Sequence, residues 1–184
     1  MSRFLTVIPV ADAIAVLTRI APRPVQEEVA VEQSAGRVLA ADVMADTDIP
    51  GFDRSVVDGY AVRAADTAGA GDAIPAMLRL AGRIAMGQAA PELRVDTGAC
   101  AYIPTGGVLP AGADAVVMVE NTETAGDTVL VRKPVADHEN VLLRDEDFRN
   151  GAVVLSAGRR LSAQDVGVLA AAGCIRVPVA RRPR

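Results

Sequence analysis

The chain has 184 residues, 51% hydrophobic and 23% charged, enough to bury a core as one domain or two small ones. Its 19 basic and 23 acidic residues give a net charge of -4, and aromatics make up 3%. Those values argue against a basic nucleic-acid surface and against a base-stacking platform. One histidine, His138, and two distant cysteines, Cys100 and Cys174, match no metal, redox or histidine-triad spacing. No run approaches the ~20 apolar residues that span a bilayer, so no membrane role and a cytoplasmic location are expected. Lys133 is the sole lysine, which confines lysine chemistry to one position.

Val10, Ala13, Ile14, Leu17 and Ala21 recur at helical spacing, which predicts an amphipathic helix over about 9–20 with one face inward. Pro22 and Pro24 end it. A second short helix is expected over 31–39, with Val31, Ala35, Val38 and Leu39 inward. Strand-like runs follow at about 77–85, 100–103, 115–120, 128–132 and 152–155, separated by Gly, Pro, Asn and Asp clusters. Residues 64–73 and 86–91 read as loops. Thr124-Ala125-Gly126-Asp127 reads as a hairpin connection between Ala115–Glu120 and Thr128–Val131.

A third helix carries its own boundaries. Ser162 stands as N-cap with Asp165 at N3, a variant of the capping box, and Leu161 and Val166 occupy the staple positions. Gly173 is placed to stop it. Ile175–Ala180 reads as a closing strand, and Arg181-Arg182-Pro183-Arg184 reads as an interdomain linker of a longer protein. The expected fold class is α+β. A small, largely helical domain, 1–43 and 148–184, is built from both chain ends, with a β-rich domain, 44–147, inserted between them.

Four polar constellations stand out. The segment Pro50–Val62 gathers Asp53, Arg54, Ser55 and Asp58 between the turn-forming pairs Pro50-Gly51 and Asp58-Gly59. Loops held by a scaffold concentrate function; equally, Asp53 or Ser55 can cap a helix and Asp58 can serve a turn. In Pro104-Thr105-Gly106-Gly107, a hydroxyl and closely approachable backbone N–H groups suit an anion, although an ordinary turn explains the same residues. Arg144-Asp145-Glu146-Asp147 offers oxygen ligands for a hard cation such as magnesium. Strand alternation leaves only Asp145 and Asp147 on one side, and a solvated acidic loop is the competing reading. Glu120-Asn121-Thr122-Glu123 is adequately read as a strand end entering a turn, and His138 as a surface loop residue.

Taken in order, these segments resemble the MoeA/gephyrin family of molybdopterin molybdenumtransferases. The resemblance rests on Ala35-Gly36-Arg37-Val38-Leu39-Ala40, Pro50–Ser55, Asp58–Arg63 and Pro104-Thr105-Gly106. It continues through Leu109–Met118, Glu146-Asp147, Ala157–Leu161 and the closing Val177-Pro178-Val179 with Arg182-Pro183-Arg184. It covers essentially the whole chain.

The resemblance implies an enzyme that transfers molybdenum from molybdate to adenylylated molybdopterin, with magnesium (Mg2+) assisting and AMP released. It implies a small helical domain with an inserted β-rich domain, followed in the family by a pterin-binding domain and a further β domain that this sequence lacks. The fragment alone is then expected to be inactive. It implies a homodimer, in which the β-rich domain faces the partner's pterin-binding domain. By motif position, Asp58, Thr105 and Asp147 carry over as catalytic residues, with Asp58 and Asp147 toward magnesium. Asp53, Ser55, Gly106 and Arg144 carry over as cofactor-binding residues. The sequence departs from the family pattern at Val56-Val57 and at 142–145, where the family has more arginines and a glycine; fewer arginines weaken anion contacts. The alternative is a non-catalytic binding or scaffolding module of the same family.

Overall fold

The computed structural model describes residues 7–20, 25–87 and 92–182. The chain divides into two units, one comprising Met44–Val154 and the other drawn from both sides of it. The elements in chain order are α1 (Val10–Ile20), β1 (Gln26–Ala30), β2 (Val43–Met44), β3 (Arg54–Ser55), β4 (Gly59–Val62), β5 (Ala76–Arg83) and β6 (Ala99–Ile103). Then come β7 (Ala115–Met118), β8 (Thr122–Ala125), β9 (Thr128–Val131), β10 (Val141–Leu142), β11 (Val153–Leu155), α2 (Ala163–Ala171) and β12 (Arg176–Ala180).

The Met44–Val154 unit is built on a six-stranded sheet of order β7-β4-β6-β5-β9-β8. Its pairs are antiparallel except β5 with β6, which run parallel with a register shift between Leu80 and Gly82. The sheet curls enough for Tyr60 on β4 to reach Thr124 on the far edge strand, hydroxyl to hydroxyl at 3.1 Å.

Period-2 alternation between two covered faces explains why β4 and β6 carry no charged residue. Tyr60 and Val62 enter one core with Leu78, Cys100, Val117 and Val129, while Ala61 faces the other way toward Ile84, Ile103 and Val116. Both faces of the sheet are covered, so β4 reads as a continuous buried run. Gly59 begins that run for a steric reason: a Cβ there would lie 2.0 Å from the Val117 carbonyl oxygen.

Here the structure corrects one connection. Val119–Asn121 forms a 3-10 turn, so the apolar run from Ala115 ends at Met118 and pairs with β4. The hairpin partner of β9 is instead the short polar strand β8, joined through Gly126-Asp127. The unit also extends past residue 147, because Gly151 donates to the Ala45 carbonyl and Ala45 to the Ala152 carbonyl, both at 2.8 Å.

In the other unit, β1 and β12 pair antiparallel, with Val29 opposite Val177 and Glu27 opposite Val179. Val31, Leu39, Val43, Leu161, Leu169, Val177 and Val179 form its core. The helix expected over 31–39 is a single 3-10 turn, Val31–Gln33. The following residues bond across the unit instead: Leu39 donates to Arg159, Ala40 to Pro178, and Leu161 to Arg37. Tertiary hydrogen bonds outcompete the weak local preference of so short a segment. This unit is therefore mixed helix and strand, not largely helical.

Helix α2 follows its sequence signals closely. The Ser162 hydroxyl accepts from the Asp165 N–H and the Asp165 carboxylate accepts from the Ser162 N–H, a complete capping box. At the other end Gly173 has φ +80°; its N–H bonds Ala170 and the Cys174 N–H bonds Leu169, a Schellman closure. Helix α1 forms where expected, but Val10, Ile14 and Leu17 on its apolar face remain exposed. Ala21, assigned to the same face, lies outside the described residues.

Candidate functional site

Residues 49–58 run between two other segments of the Met44–Val154 unit and are hydrogen-bonded to both. On one side Gly106 donates to the Ser55 carbonyl at 2.8 Å, Ser55 to Gly107 at 3.1 Å, and Leu109 to Asp53 at 2.9 Å. On the other side β3 pairs antiparallel with β10, Ser55 opposite Val141 and Arg54 opposite Leu142. The same side continues with Asp145 donating to Pro50 at 3.0 Å and Asp147 to Ile49 at 2.9 Å. Three of the four polar constellations thus meet along one strip of backbone, though 47 to 91 residues separate the partners of its side-chain bonds.

Asp58 is the best-defined group of the strip. Its Oδ1 accepts the Thr105 backbone N–H at 2.7 Å and the Thr105 hydroxyl at 2.9 Å. These bonds, the backbone one foremost, hold the carboxyl below its ordinary pKa, so it stays ionised. The side chain is exposed, and Oδ2 accepts no hydrogen bond among the described residues. The result is an anchored, ionised carboxylate with one oxygen unbonded among the described residues, a group that suits a cation better than a proton.

The remaining residues predicted from sequence divide. Asp147 is exposed on a segment whose backbone is tied to Ile49, and its carboxylate has no hydrogen bond among the described residues. The Asp53 Oδ1 accepts the Arg144 N–H at 2.7 Å, so it braces the loop. Ser55 is buried, and its hydroxyl both donates to the Val57 carbonyl and accepts the Val57 N–H, a local turn. The Gly106 N–H is already given to Ser55, and both Thr105 donors to Asp58. In this arrangement the Pro104–Gly107 turn offers neither of those residues' donors to an anion.

Arg144 has a partner the sequence reading missed. Asp48 accepts its Nε at 2.7 Å through Oδ2, and the Asn150 N–H at 2.8 Å through Oδ1. The Asn150 bond, then Arg144, pulls the Asp48 carboxyl below its ordinary pKa. Arg149 donates to the Asp145 carboxylate at 2.7 Å, which raises the arginine's own pKa. No local pattern points to Asp48, because both partners lie about a hundred residues downstream.

The other two candidates are structural. Glu123 pairs with Arg132 across the β8–β9 ribbon. His138 is exposed, with Asp137 3.6 Å away. Among the described residues no three His, Cys, Asp or Glu side chains are grouped to hold a metal. The described residues therefore build no self-sufficient protein cage for a cation. No described helix is long and apolar enough to cross a membrane.

A family model described as the MoeA N-terminal region (domain I and II) matches residues 8–173. A molybdopterin molybdenumtransferase of Staphylococcus aureus (strain Mu50 / ATCC 700699) is 37% identical over 176 residues, 96% of this chain and 42% of that relative. One of Staphylococcus epidermidis (strain ATCC 12228 / FDA PCI 1200) is 37% identical over 153 residues, 83% of this chain and 36% of the relative. The crystal structure of a molybdopterin biosynthesis moeA protein from Pyrococcus horikoshii OT3 superposes with a TM-score of 0.88 at 38% identity, covering 97% of this chain and 47% of that one. The chain spans under half the length of these relatives. With the family match extending over most of its residues, this chain belongs to the MoeA family and corresponds to its N-terminal region.

Proposed function

We infer that this chain forms one wall of a molybdopterin molybdenumtransferase site, and that Asp58 is the group through which it acts. The reaction would transfer molybdenum from molybdate to adenylylated molybdopterin, releasing AMP, as a cytoplasmic step of molybdenum cofactor biosynthesis. The names of the relatives support the reaction class. The observation that carries the role of this chain is the Asp58 carboxylate, ionised, anchored through Oδ1 and open at Oδ2. A scaffolding module would need no carboxylate held that way, which favours the catalytic reading.

Thr105 is the positioning residue: its two donors fix the carboxylate plane and keep it charged. Asp147 supplies a second exposed carboxylate. Asp53, Asp48 and Arg144 hold the loop that carries it. Magnesium, when bound at these carboxylates, would neutralise phosphate charge on the substrate. Ser55 and Gly106 support the strip through their own bonds. The remainder of the site would come from the part of the relatives this chain does not span, within a homodimer.

The test is calorimetry of this chain with magnesium and adenylylated molybdopterin, alone and with the pterin-binding domain of a relative added. Weak or no binding alone, and magnesium-dependent release of AMP once the domain and molybdate are present, are the expected results. Tight binding or turnover by the chain alone overturns the view that it supplies only one wall. An Asp58→Asn chain that still supports full AMP release removes Asp58 from its role.

A further inference from the structure

In the unit outside Met44–Val154, a cleft of about 630 Å³ opens where residues 36–38 lie between 160 and 180–182. The walls are held by backbone pairing: Val38 bridges Arg160, and Ala180 donates to the Val38 carbonyl at 2.7 Å. Four arginines line it: Arg37, Arg160, Arg181 and Arg182. Arg37 is largely buried; it pairs with Glu27 and donates to the Ala180 carbonyl at 2.8 Å. Its charge is therefore answered within the fold. Arg160, Arg181 and Arg182 are exposed, and their guanidinium groups make no hydrogen bond or ion pair among the described residues. The residues between them, Gly36, Val38 and Ala180, are small or apolar and leave the cleft open. Among the described residues no carboxylate lines it.

Three unanswered positive charges around one cleft repel each other, and they do so in a chain whose net charge is -4. Some surface arginines elsewhere have acidic partners, Arg94 with Asp96, Arg132 with Glu123 and Arg149 with Asp145, while Arg79, Arg83 and Arg176 are exposed without one among the described residues; what marks Arg160, Arg181 and Arg182 is that all three line one cleft. Guanidinium forks match phosphate oxygens two at a time, and arginine is the side chain suited to that geometry. We propose that this arginine cleft binds a diphosphate group, either free pyrophosphate or the diphosphate of a nucleotide. The charge of such a group near neutral pH matches the three free guanidinium groups. None of the carboxylates assigned above lies here, so the inference stands or falls apart from the transferase reading.

The experiment is isothermal titration of the 184-residue chain with pyrophosphate, with ADP, and with hexaglutamate as a non-phosphate polyanion, at fixed low salt. Pyrophosphate should bind with a Kd below about 1 mM. The double variant Arg160→Gln/Arg182→Gln should weaken it on the order of tenfold or more. Arg94→Gln/Arg132→Gln removes the same charge from the other unit and should leave the affinity within about twofold. Amide shifts of Val38 and Ala180 in the unsubstituted chain, followed by NMR during the titration, locate binding without any variant. Equal affinity for ADP and pyrophosphate supports a bare diphosphate ligand; markedly tighter ADP binding supports the nucleotide source. Four results overturn the proposal: no binding at 1 mM, tighter binding of hexaglutamate, an equal loss in the control variant, or unmoved Val38 and Ala180 amides.

Discussion

Both hydrogen bonds that Thr105 gives to Asp58 end on the same carboxylate oxygen, Oδ1. One comes from the backbone, so it survives any substitution except proline at position 105. The other comes from the hydroxyl and can be removed alone. Two residues 47 positions apart are thereby locked as a unit, and the free oxygen is aimed by the bound one.

Thr105→Val should keep the fold and the backbone bond but raise the Asp58 pKa toward its ordinary value. The sign follows from the folded-state depression: the hydroxyl favours the charged form, so its loss favours protonation. An NMR titration of the Asp58 carboxyl reads the shift directly. In a transferase that also holds the part of the relatives this chain does not span, molybdenum insertion should fall on the order of tenfold, the usual effect of removing a group that orients a ligand. A pKa unchanged from the parent would show that the hydroxyl bond contributes nothing.

Gly59→Ala should destabilise by about 3 kcal/mol or more, because backbone must move to relieve a 2.0 Å contact with the Val117 carbonyl oxygen. Urea unfolding measures it. Gly51→Ala, where the nearest such atom is 3.7 Å away, is the matched control and should change stability far less.

The cap of α2 predicts an acid sensitivity. Arg159 first, then the Ser162 N–H, lower the Asp165 pKa to about 2. A depressed folded value means the stabilisation is fully present above the unfolded value of about 3.9. It is lost as pH falls from there through about 2. Asp165→Asn should flatten that part of the stability–pH curve. Ser162→Ala should cost about 1 kcal/mol at neutral pH. Thermal unfolding followed from pH 7 to pH 2 tests both.

Cys100 should resist thiol reagents in the folded protein. It is fully buried in the sheet core, and burial raises its thiol to about 11. The thiolate is the reactive form, so modification at pH 8 should wait on unfolding. Rapid labelling of Cys100 under native conditions, mapped by mass spectrometry, would contradict the packing described here.

Particular elements show why some of this was legible in the sequence. Helix α2 was readable because its signals are local: Ser162 to Asp165 spans one turn, and Gly173 sits where only a left-handed residue closes the helix. The strands around Cys100, Val116 and Val129 were readable from their short apolar runs between turn residues. The segment 31–39 was misread, since its apolar spacing fits a helix while the Val31 and Leu39 N–H groups are claimed by the Ile175 and Arg159 carbonyls. Strand β8 was missed because Thr122–Ala125 carries no apolar alternation and is held only by pairing with β9.

For the candidate site, the sequence alone marked Asp58, Thr105 and Asp147 by motif and order, and brought the family into view. It also supplied the turn residues that present them. Only the tertiary structure decided which groups remain available: Oδ2 of Asp58 is open among the described residues, the Gly106 N–H is engaged by Ser55, and Asp48 grips Arg144. The reason is physical. Residue type sets what a side chain can donate or accept, but whether that capacity is free depends on partners 47 to about 100 residues away, and no local pattern encodes them.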